Sequence, residues 1–453
     1  MPAKVALIVF FGFIGFLFWQ DWRRRSGVSW ALWIPTAWLL IWASRPLSSW
    51  LNLQEGEVMI DEMEGNTTDR NFFLLLIIGA IIVLARRKID WGKVYRENVW
   101  LFLLYGYLGL SVLWSDFTFV SFKRWFKDFG NVLMVLVVLT DRYPLEAMKT
   151  LFARAAYVLV PVSVLFIKYF PEFGRGYNEL TGDSYFHGAT RGKNELGAML
   201  LVFILFNAWK LIQMLRESAW KFRRTQVLTQ VALIIMALWL VRMARSATAL
   251  ACVAVGGAAI AALSTNYVRQ RLKSMLNLCI AGGVALMLLS MFVDLKGEVA
   301  IMLGRDPTLH GRTGVWETVL AEKTDPFIGT GYSSFWLGGR SAKISARRLY
   351  TVNLNQAHNG YLEMYLNGGL IGVLLLIMML GSAARRLSWQ MLSDPDWAGL
   401  KFVMCCIVII YNWSEDAFFR SGPIWFTTIV ACLSFLPRAN SASATESHLK
   451  AAA

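Results

Sequence analysis

The 453-residue chain is too apolar to fold as a soluble protein. Hydrophobic residues make up 56% of it and charged residues only 17%, which is more apolar surface than one soluble core can bury. The net charge of +15 does not indicate a nucleic-acid partner, because most of it lies in short loops beside apolar runs, where it matches an anionic lipid surface. The composition therefore predicts an integral membrane protein surrounded by membrane lipids.

A series of apolar runs is long enough, or nearly so, to cross roughly 30 Å of hydrocarbon. They predict an all-α polytopic integral membrane protein with about 12–13 transmembrane helices. The run at 131–140 is the weakest and is expected to borrow length from 122–129, whose Lys123, Arg124 and Lys127 can snorkel toward the headgroups. The predicted spans are 4–20, 28–43, 71–85, 99–114, 131–140, 151–170, 195–215, 227–241, 247–263, 275–293, 360–382, 400–413 and 423–436.

Short loops on alternate sides of these spans are rich in Lys and Arg. By the positive-inside rule they face the cytoplasm, and the loops between them face outward. The predicted organisation is ten transmembrane helices within 1–293, a large periplasmic loop at 294–357, transmembrane helices within 358–436 and a cytoplasmic tail at 437–453. The basic loops contain "RRR", "RRKIDWGKVYR", "KFRR", "RQRLK" and "RR", which begin at Arg23, Arg86, Lys221, Arg269 and Arg385.

Two outward turns carry positive charge that the positive-inside rule does not explain. In "FHGATRGKNELG", Arg191, Lys193 and Asn194 come just before an apolar helix, whose free backbone donors could hold an anion together with these cations. The alternative is a solvated loop whose charges cap the helix. In "VRMARSATAL", Arg242 and Arg245 are costly near hydrocarbon unless they are paired or face a water-filled cavity. Headgroup snorkelling is the alternative there, and it suits Arg242 better.

The outward segment 294–357 is far longer than an ordinary connection, and such loops are usually functional. It contains Arg305 and Arg312 within "LGRDPTLHGRTGVWE", and Tyr332 within "DPFIGTGYSSFW". Its Gly, Pro and aromatic content predicts a compact lid with short helices, and an inert folded loop is the alternative.

"NQAHNGYLEMYLNGGLIG" ends this segment and enters an apolar run at the predicted outer rim. Of the four histidines, His448 lies in the tail, His310 has generic surroundings, and His187 and His358 lie beside apolar helices. A lone histidine is more often structural than catalytic. A reaction centre at the membrane surface nevertheless needs a base, and histidine is the side chain that titrates near neutral pH. Because no second and third ligand accompanies His358 at metal spacing, no metal site is predicted.

This stretch resembles the signature of the bacterial O-antigen ligase and polymerase superfamily. The signature is His, then Asn, Ser or Gln, nine residues, Gly, two residues, and Gly, Thr or Tyr. Here His358, Asn359, Gly369 and Gly372 fill those positions, where the large loop enters a late transmembrane helix.

Other stretches are also similar to motifs of that superfamily. "RGKNELG" and "RMARSATAL" look like its outward motifs, although Lys193 stands where proline is frequent and Arg245 precedes Ser246 where Ser-Arg is commoner. "LGRDPTLHGRTGVW" and "WSDFTFVSFKRWFKDFGNV" resemble exopolysaccharide-production members that are often described as polymerase-like.

The resemblance implies a GT-C-like glycosyltransferase of the bacterial inner membrane with its active site toward the periplasm. Such enzymes move a glycan from a polyprenyl (undecaprenyl) pyrophosphate carrier to an acceptor hydroxyl, without a metal, nucleotide or other cofactor. It implies His358 as the catalytic base and inversion at the anomeric carbon. The pyrophosphate is assigned to Arg191, Arg245 and Arg312, then Lys193 and Arg305; positioning of acceptor or sugar is assigned to Asn359, Tyr361, Asn194, Tyr332, Trp316 and Trp336.

Two classes of function remain open. Within the first class, a polymerase would use another carrier-linked repeat unit as acceptor, a ligase would use the lipid A core, and protein-directed transfer is a further variant. The exopolysaccharide-type stretches favour the polymerase. The second class is a transporter for lipid-linked oligosaccharides, which internal repeats and ionisable residues near mid-bilayer would indicate. Neither feature is seen in the sequence.

Overall fold

The computed structural model describes residues 2–23, 27–51, 65–177, 182, 184–216, 224–272, 312–347 and 354–434. The regular secondary structure of this part of the chain is helical except for one short antiparallel strand pair, in which Gly176 pairs with Tyr185. The elements are α1 (Ala3–Arg23), a 3-10 turn (Trp30–Leu32), α2 (Trp33–Trp42), α3 (Leu47–Trp50), α4 (Thr67–Arg86), α5 (Trp91–Glu97), α6 (Val99–Leu110), a 3-10 turn (Ser111–Trp114), α7 (Thr118–Leu139), α8 (Pro144–Tyr169), α9 (Pro171–Gly174), β1 (Arg175–Tyr177), β2 (Ser184–Phe186), α10 (Lys193–Arg216), α11 (Arg224–Ala244), α12 (Ala247–Leu263), α13 (Asn266–Gln270), α14 (Arg312–Leu320), α15 (Gly339–Arg347), α16 (Gly360–Ser393), α17 (Trp397–Tyr411) and α18 (Pro423–Cys432).

The all-α polytopic fold expected from the sequence is confirmed. Within the described residues, six helices are long and apolar enough to cross a membrane: α1, α4, α8, α10, α11 and α16. Shorter apolar helices occupy Trp30–Trp42, Val99–Trp114, Ala247–Leu263, Trp397–Tyr411 and Pro423–Cys432. The weak run at 131–140 belongs to the 22-residue helix α7. This helix includes 122–129, as the sequence predicted. The predicted span at 275–293 lies outside the described residues.

Helices α8 and α10 form the centre of the bundle. Most of each span is buried inside the protein, whereas α1 and α4 bury only small parts of theirs. Helix α10 packs against α11 and α12, and a small residue allows the close approach, since a Cβ at Gly197 would lie 2.8 Å from Cβ of Ser246. This contact places the turn between α11 and α12 beside the start of α10.

Helix α16 is broken at Gly369, one of the two signature glycines. Its φ of 62° and ψ of −165° are not helical, and the freed donors bond to the large loop instead. The N–H of Leu370 donates to the carbonyl of Pro326 at 2.9 Å, and that of Ile371 to the carbonyl of Phe327 at 3.1 Å. A Cβ at position 369 would lie 2.2 Å from the carbonyl carbon of Phe327, so the break requires glycine.

The other side of the break is bonded to the same loop. The N–H of Thr330 donates to Leu366 at 3.0 Å, and that of Gly331 donates to Asn367 at 2.9 Å. Gly329 has a φ of 66°, and a Cβ there would lie 2.6 Å from the carbonyl carbon of Asn367. The loop is therefore joined to the membrane helix backbone to backbone, which fixes it over the start of α16.

The described part of the loop also has a small apolar core of its own. Helices α14 and α15 flank it, and it rests on Leu366 of α16. Its buried residues are Val315, Val319, Phe335, Trp336, Ile344, Ala357 and Leu366. Because Ala357 belongs to this core, the residue that follows it in the chain, His358, is held where loop and helix meet.

Candidate functional site

His358 lies immediately before α16 in a left-handed backbone conformation, with a φ of 51°. Such a conformation costs a non-glycine residue about 1–3 kcal/mol and persists only where the surroundings impose it. The next residue, Asn359, is the N-cap of α16, and its Oδ1 accepts from the N–H groups of Tyr361 at 3.0 Å and Leu362 at 3.1 Å. The side chain of Asn359 thus fixes the helix start that carries His358.

The partner of His358 is Glu415, in the turn between α17 and α18. Nδ1 of His358 is 3.3 Å from Oε2 of Glu415, whose side chain is only 7% exposed. Nδ2 of Asn194 donates to the same oxygen at 3.3 Å. When a carboxylate accepts from one ring nitrogen, the other nitrogen is left in the form that can take a proton. Three separate elements thereby position the ring of His358.

A cavity of about 610 Å³ lies next to this pair. Glu415 lines it, as do Gln356 and Gly360, the near neighbours of His358 in the chain. Most of the remaining wall comes from α7, the start of α10, the large loop, α16 and the turn before α18. Its charged members are Arg124, Lys127, Asp128, Arg191, Glu195, Glu363, Glu415, Asp416 and Arg420. Its volume falls within the range of roughly 300–1,000 Å³ that is typical of ligand-binding pockets.

Arg420 braces the turn that carries Glu415. Its Nε donates to Oδ2 of Asp416, and its Nη2 donates to the carbonyl of Asn355 at 2.8 Å and lies 3.9 Å from Oε1 of Glu363. Burial raises the pKa of Asp416, and the charge of Arg420 opposes that rise. Burial also tends to lower the pKa of Arg420, but the carboxylates of Asp416 and Glu363 outweigh it and raise that pKa. Arg420 is therefore charged, and two carboxylates balance its charge. Its contacts hold the turn that carries Glu415 in place.

Sequence reasoning missed Glu415, Asp416 and Arg420. The signal was "SEDAFFR", a group of charges in a short turn between two apolar runs. The cost of charge near hydrocarbon, which drew attention to the "RMARS" turn, applies equally to this one.

Of the residues predicted before α10, Arg191 and Asn194 line the cavity, and the exposed Lys193 lies outside its wall. Nη2 of Arg191 is 3.4 Å from Oε1 of Glu195, and the backbone N–H of Arg191 donates to Oε2 at 3.1 Å. Glu195 thereby caps the start of α10, as the alternative interpretation expected. The half-exposed guanidinium of Arg191 still borders the cavity, so capping and anion binding are compatible.

The remaining predicted cations, Arg245, Arg312 and Arg305, are not found on the described wall of the cavity. Arg245 is exposed in the turn between α11 and α12 and has a φ of 51°. Its neighbour Ser246 caps α12 by accepting from the N–H of Ala249 at 3.4 Å. Arg312 begins α14, but its side chain lies outside the described part, as does all of Arg305.

The predicted aromatic residues divide into two groups. Tyr332 and Trp336 line the cavity, and burial, followed by the charge of Asp128, raises the pKa of Tyr332 well above its usual value. Trp316 instead donates from Nε1 to the carbonyl of Ala357 at 2.8 Å. Tyr361 donates its hydroxyl to the carbonyl of Ile409 on α17 at 3.0 Å. Trp316 thus holds the residue before His358, and Tyr361 holds the helix that follows His358.

The snorkelling expected of Arg124 and Lys127 is wrong, because both line the interior cavity. They lie three residues apart on α7 and therefore share one helix face. Nη1 of Arg124 donates to the carbonyl of Ser333 at 3.2 Å and to its hydroxyl at 3.0 Å. Composition could not show which face of α7 is turned inward.

His187, the other histidine at the predicted outer rim, has different partners. Its Nδ1 lies 2.9 Å from the carbonyl of Thr190 and 3.3 Å from Nη2 of Arg45. Burial, and then the charge of Arg45, lower the pKa of His187. This neutral histidine holds the turn before α10. Within the described residues, no group of three or more His, Cys, Asp or Glu side chains is placed to hold a metal ion.

Known proteins resemble this chain in the same region. A family model described as O-antigen ligase matches residues 219–377, which include Arg245, His358 and both signature glycines. The exopolysaccharide production protein ExoQ of Rhizobium meliloti (strain 1021) is 26% identical over 323 residues, which cover 68% of this chain and 71% of ExoQ.

Proposed function

The chain belongs to the O-antigen ligase and polymerase superfamily, and we propose that it moves a glycan from a polyprenyl pyrophosphate carrier to a sugar hydroxyl at the periplasmic face of the bacterial inner membrane. The observation that carries this proposal is the pair of His358 and Glu415 beside a cavity whose wall holds four cations as well as five carboxylates. An oriented base and fixed positive charge are the two things that such a transfer needs.

In the proposed reaction, Nε2 of His358 takes the proton of the acceptor hydroxyl. The acceptor oxygen bonds to the anomeric carbon, and the bond from that carbon to the carrier phosphate breaks. The electron pair leaves with the diphosphate, and attack from the opposite face inverts the anomeric carbon. Glu415 holds the ring and stabilises the imidazolium that forms. General base catalysis of this kind is worth about 10²–10⁴-fold.

The diphosphate gains negative charge as it leaves, and arginine suits it because a guanidinium binds phosphate oxygens in a bidentate manner and stays charged. Arg191 is the predicted phosphate ligand that the cavity supports best. Arg245, Arg312, Lys193 and Arg305 remain proposed ligands on the resemblance alone. Such groups act mainly in the transition state, as preorganised electrostatics.

For the acceptor, we favour another carrier-linked repeat unit, which makes the protein an exopolysaccharide or O-antigen polymerase. The similarity to an exopolysaccharide production protein supports this choice. The description of the matching family supports a ligase that uses the lipid A core instead. Tyr332 and Trp336 are proposed to contact the sugars, because both line the cavity.

The test is turnover of a polyprenyl-pyrophosphate-linked repeat unit by the protein in nanodiscs, with EDTA present throughout. We expect longer glycans from the unaltered protein and a loss of at least about a hundredfold in His358→Ala. Lys343→Ala, on the exposed face of α15, is the control and should retain activity. Consumption of donor only when lipid A core is added would identify a ligase, and normal turnover by His358→Ala would refute the proposed mechanism.

A further inference from the structure

Lys127 is a cation on the cavity wall that the proposed mechanism does not use. Its ammonium group lies 5.6 Å from the ring centres of both Trp42 and Phe73, and so makes a cation–π contact with each ring. It lines the cavity, and among the described residues its ammonium interacts with charges through space and has no side-chain hydrogen bond. Helix α7 also lies outside the residues that the family model matches.

The neighbouring carboxylate does not neutralise Lys127. Asp128 points its oxygens to other donors, the hydroxyl of Tyr105 at 2.8 Å, Nε1 of Trp425 at 3.1 Å and Nδ2 of Asn131 at 3.2 Å. Its four oxygen lone pairs are therefore largely occupied. The hydrogen bonding that orders this part of the cavity leaves the ammonium without a direct counterion.

The charges that act on Lys127 include two cations. Arg124, one turn earlier on α7, and Arg191, before α10, both repel the ammonium, while Asp128 and Asp69 attract it. Of the four cations on the cavity wall, Arg420 is compensated by two carboxylates and Arg191 lies beside Glu195, whereas Lys127 has no carboxylate of its own among the described residues. Bringing like charges together among membrane helices is costly, and an anion of high charge would offset that cost.

We infer that Lys127, together with Arg124 and Arg191, binds a phosphate or diphosphate group carried by a lipid-linked substrate. The lipid-linked source rests on the proposed function, whereas the anion site itself rests on the geometry. The donor carries such a group, and in a polymerase the acceptor carries a second one, so either can occupy the site. Lysine suits this task as a compact point charge with three donors.

Direct binding tests the site without any turnover. The purified protein is titrated with farnesyl diphosphate, and Lys127→Met is compared with Lys123→Met, a change on the same helix outside the cavity wall. We expect Lys127→Met to weaken binding at least about tenfold, the usual effect of losing a bond to a charged group. Lys123→Met should bind normally. Equal binding by Lys127→Met and the unaltered protein would overturn the inference.

Thermal stability separates this role from a structural one. If Lys127 serves to bind an anion, Lys127→Met removes a charge that has no counterion in the free protein. The Tm of the variant without ligand should then equal or exceed that of the unaltered protein. Added farnesyl diphosphate should then raise the Tm of the unaltered protein more than that of the variant. Lys127→Arg should restore binding. A lower Tm in Lys127→Met that Lys127→Arg does not rescue would show that the lysine is structural.

Turnover distinguishes the two sources of the anion. A higher KM for the donor with every acceptor identifies the donor diphosphate, and a higher KM confined to a carrier-linked acceptor identifies the acceptor diphosphate. An unchanged KM for both substrates in Lys127→Met would count against the site. Diphosphate binding that depends on Lys127, without glycan transfer, would refute the proposed function and leave this site standing.

Discussion

Two histidines precede two membrane helices, and they differ in the charge of their partner. His358, before α16, faces the buried carboxylate of Glu415, while His187, before α10, lies beside the guanidinium of Arg45. A carboxylate can accept a hydrogen bond from a ring nitrogen, whereas a guanidinium can only donate one. Sequence context alone therefore does not distinguish a histidine that faces a carboxylate from one that faces a guanidinium. The two histidines differ in the side chain that each ring faces, and that side chain comes from a distant part of the chain.

The same substitution at both histidines is the most direct test of this difference. His358→Gln should lower turnover by about 10²–10⁴-fold, because it removes the proton acceptor. His187→Gln should leave most of the turnover, since its ring only supports a turn. Glycan formation in nanodiscs measures both, and the Tm of each variant shows that it is folded. Equal losses in the two variants would contradict the assignment of His358 as the base.

The second prediction concerns the scaffold that holds His358. Gly369→Ala forces a Cβ into the backbone of Phe327 at a positive φ, which should cost about 2–4 kcal/mol from strain and overpacking together. Gly381→Ala, in the same helix with no atom within 4 Å of the new Cβ, is the matched control and should be neutral or slightly stabilising. Thermal unfolding in detergent gives both values. A harmless Gly369→Ala would mean that the break in α16 is not required.

A third change tests the partner of His358. Glu415→Gln keeps the shape but removes the charge that supports the imidazolium, so we expect kcat to fall about 10–100-fold, less than for His358→Gln. KM for the donor should change little, because Glu415 is not assigned to the diphosphate. Combining Glu415→Gln with His358→Gln should add nothing further if the two act as a unit. Additive losses would show that Glu415 acts independently of His358.

The smallest expected effect is on stability below neutral pH. Burial and Arg45 lower the pKa of His187 in the folded protein, so its neutral form contributes stability above the unfolded value of about 6.5. As the pH falls below that value, the unfolded chain takes up the proton first, and stability is lost until the folded pKa is passed. His187→Gln should remove this part of the pH dependence, which is measured as Tm against pH. An unchanged slope would assign the dependence to other groups.

Much of the fold could be predicted from the sequence, and so could the position of His358 before α16. Apolar runs and basic loops are local features, and twelve of the thirteen predicted spans correspond to described helices. The signature located His358 at the junction of loop and helix. Its glycines are a local signal, because the backbone break at Gly369 requires glycine. The roles of Glu415 and Lys127 could not be predicted, since each depends on which side of an element faces the cavity.

The sequence by itself determined that the chain is a membrane protein, where its helices lie and which histidine precedes α16, because hydropathy and backbone requirements act over a few neighbouring residues. Only the tertiary structure decided that Glu415, 57 residues further along the chain, meets His358, and that Lys127 faces an interior cavity and not the headgroups. The physical reason is that the effect of a charge is set by the charges and dielectric around it. Those surroundings are supplied by helices far apart in the chain.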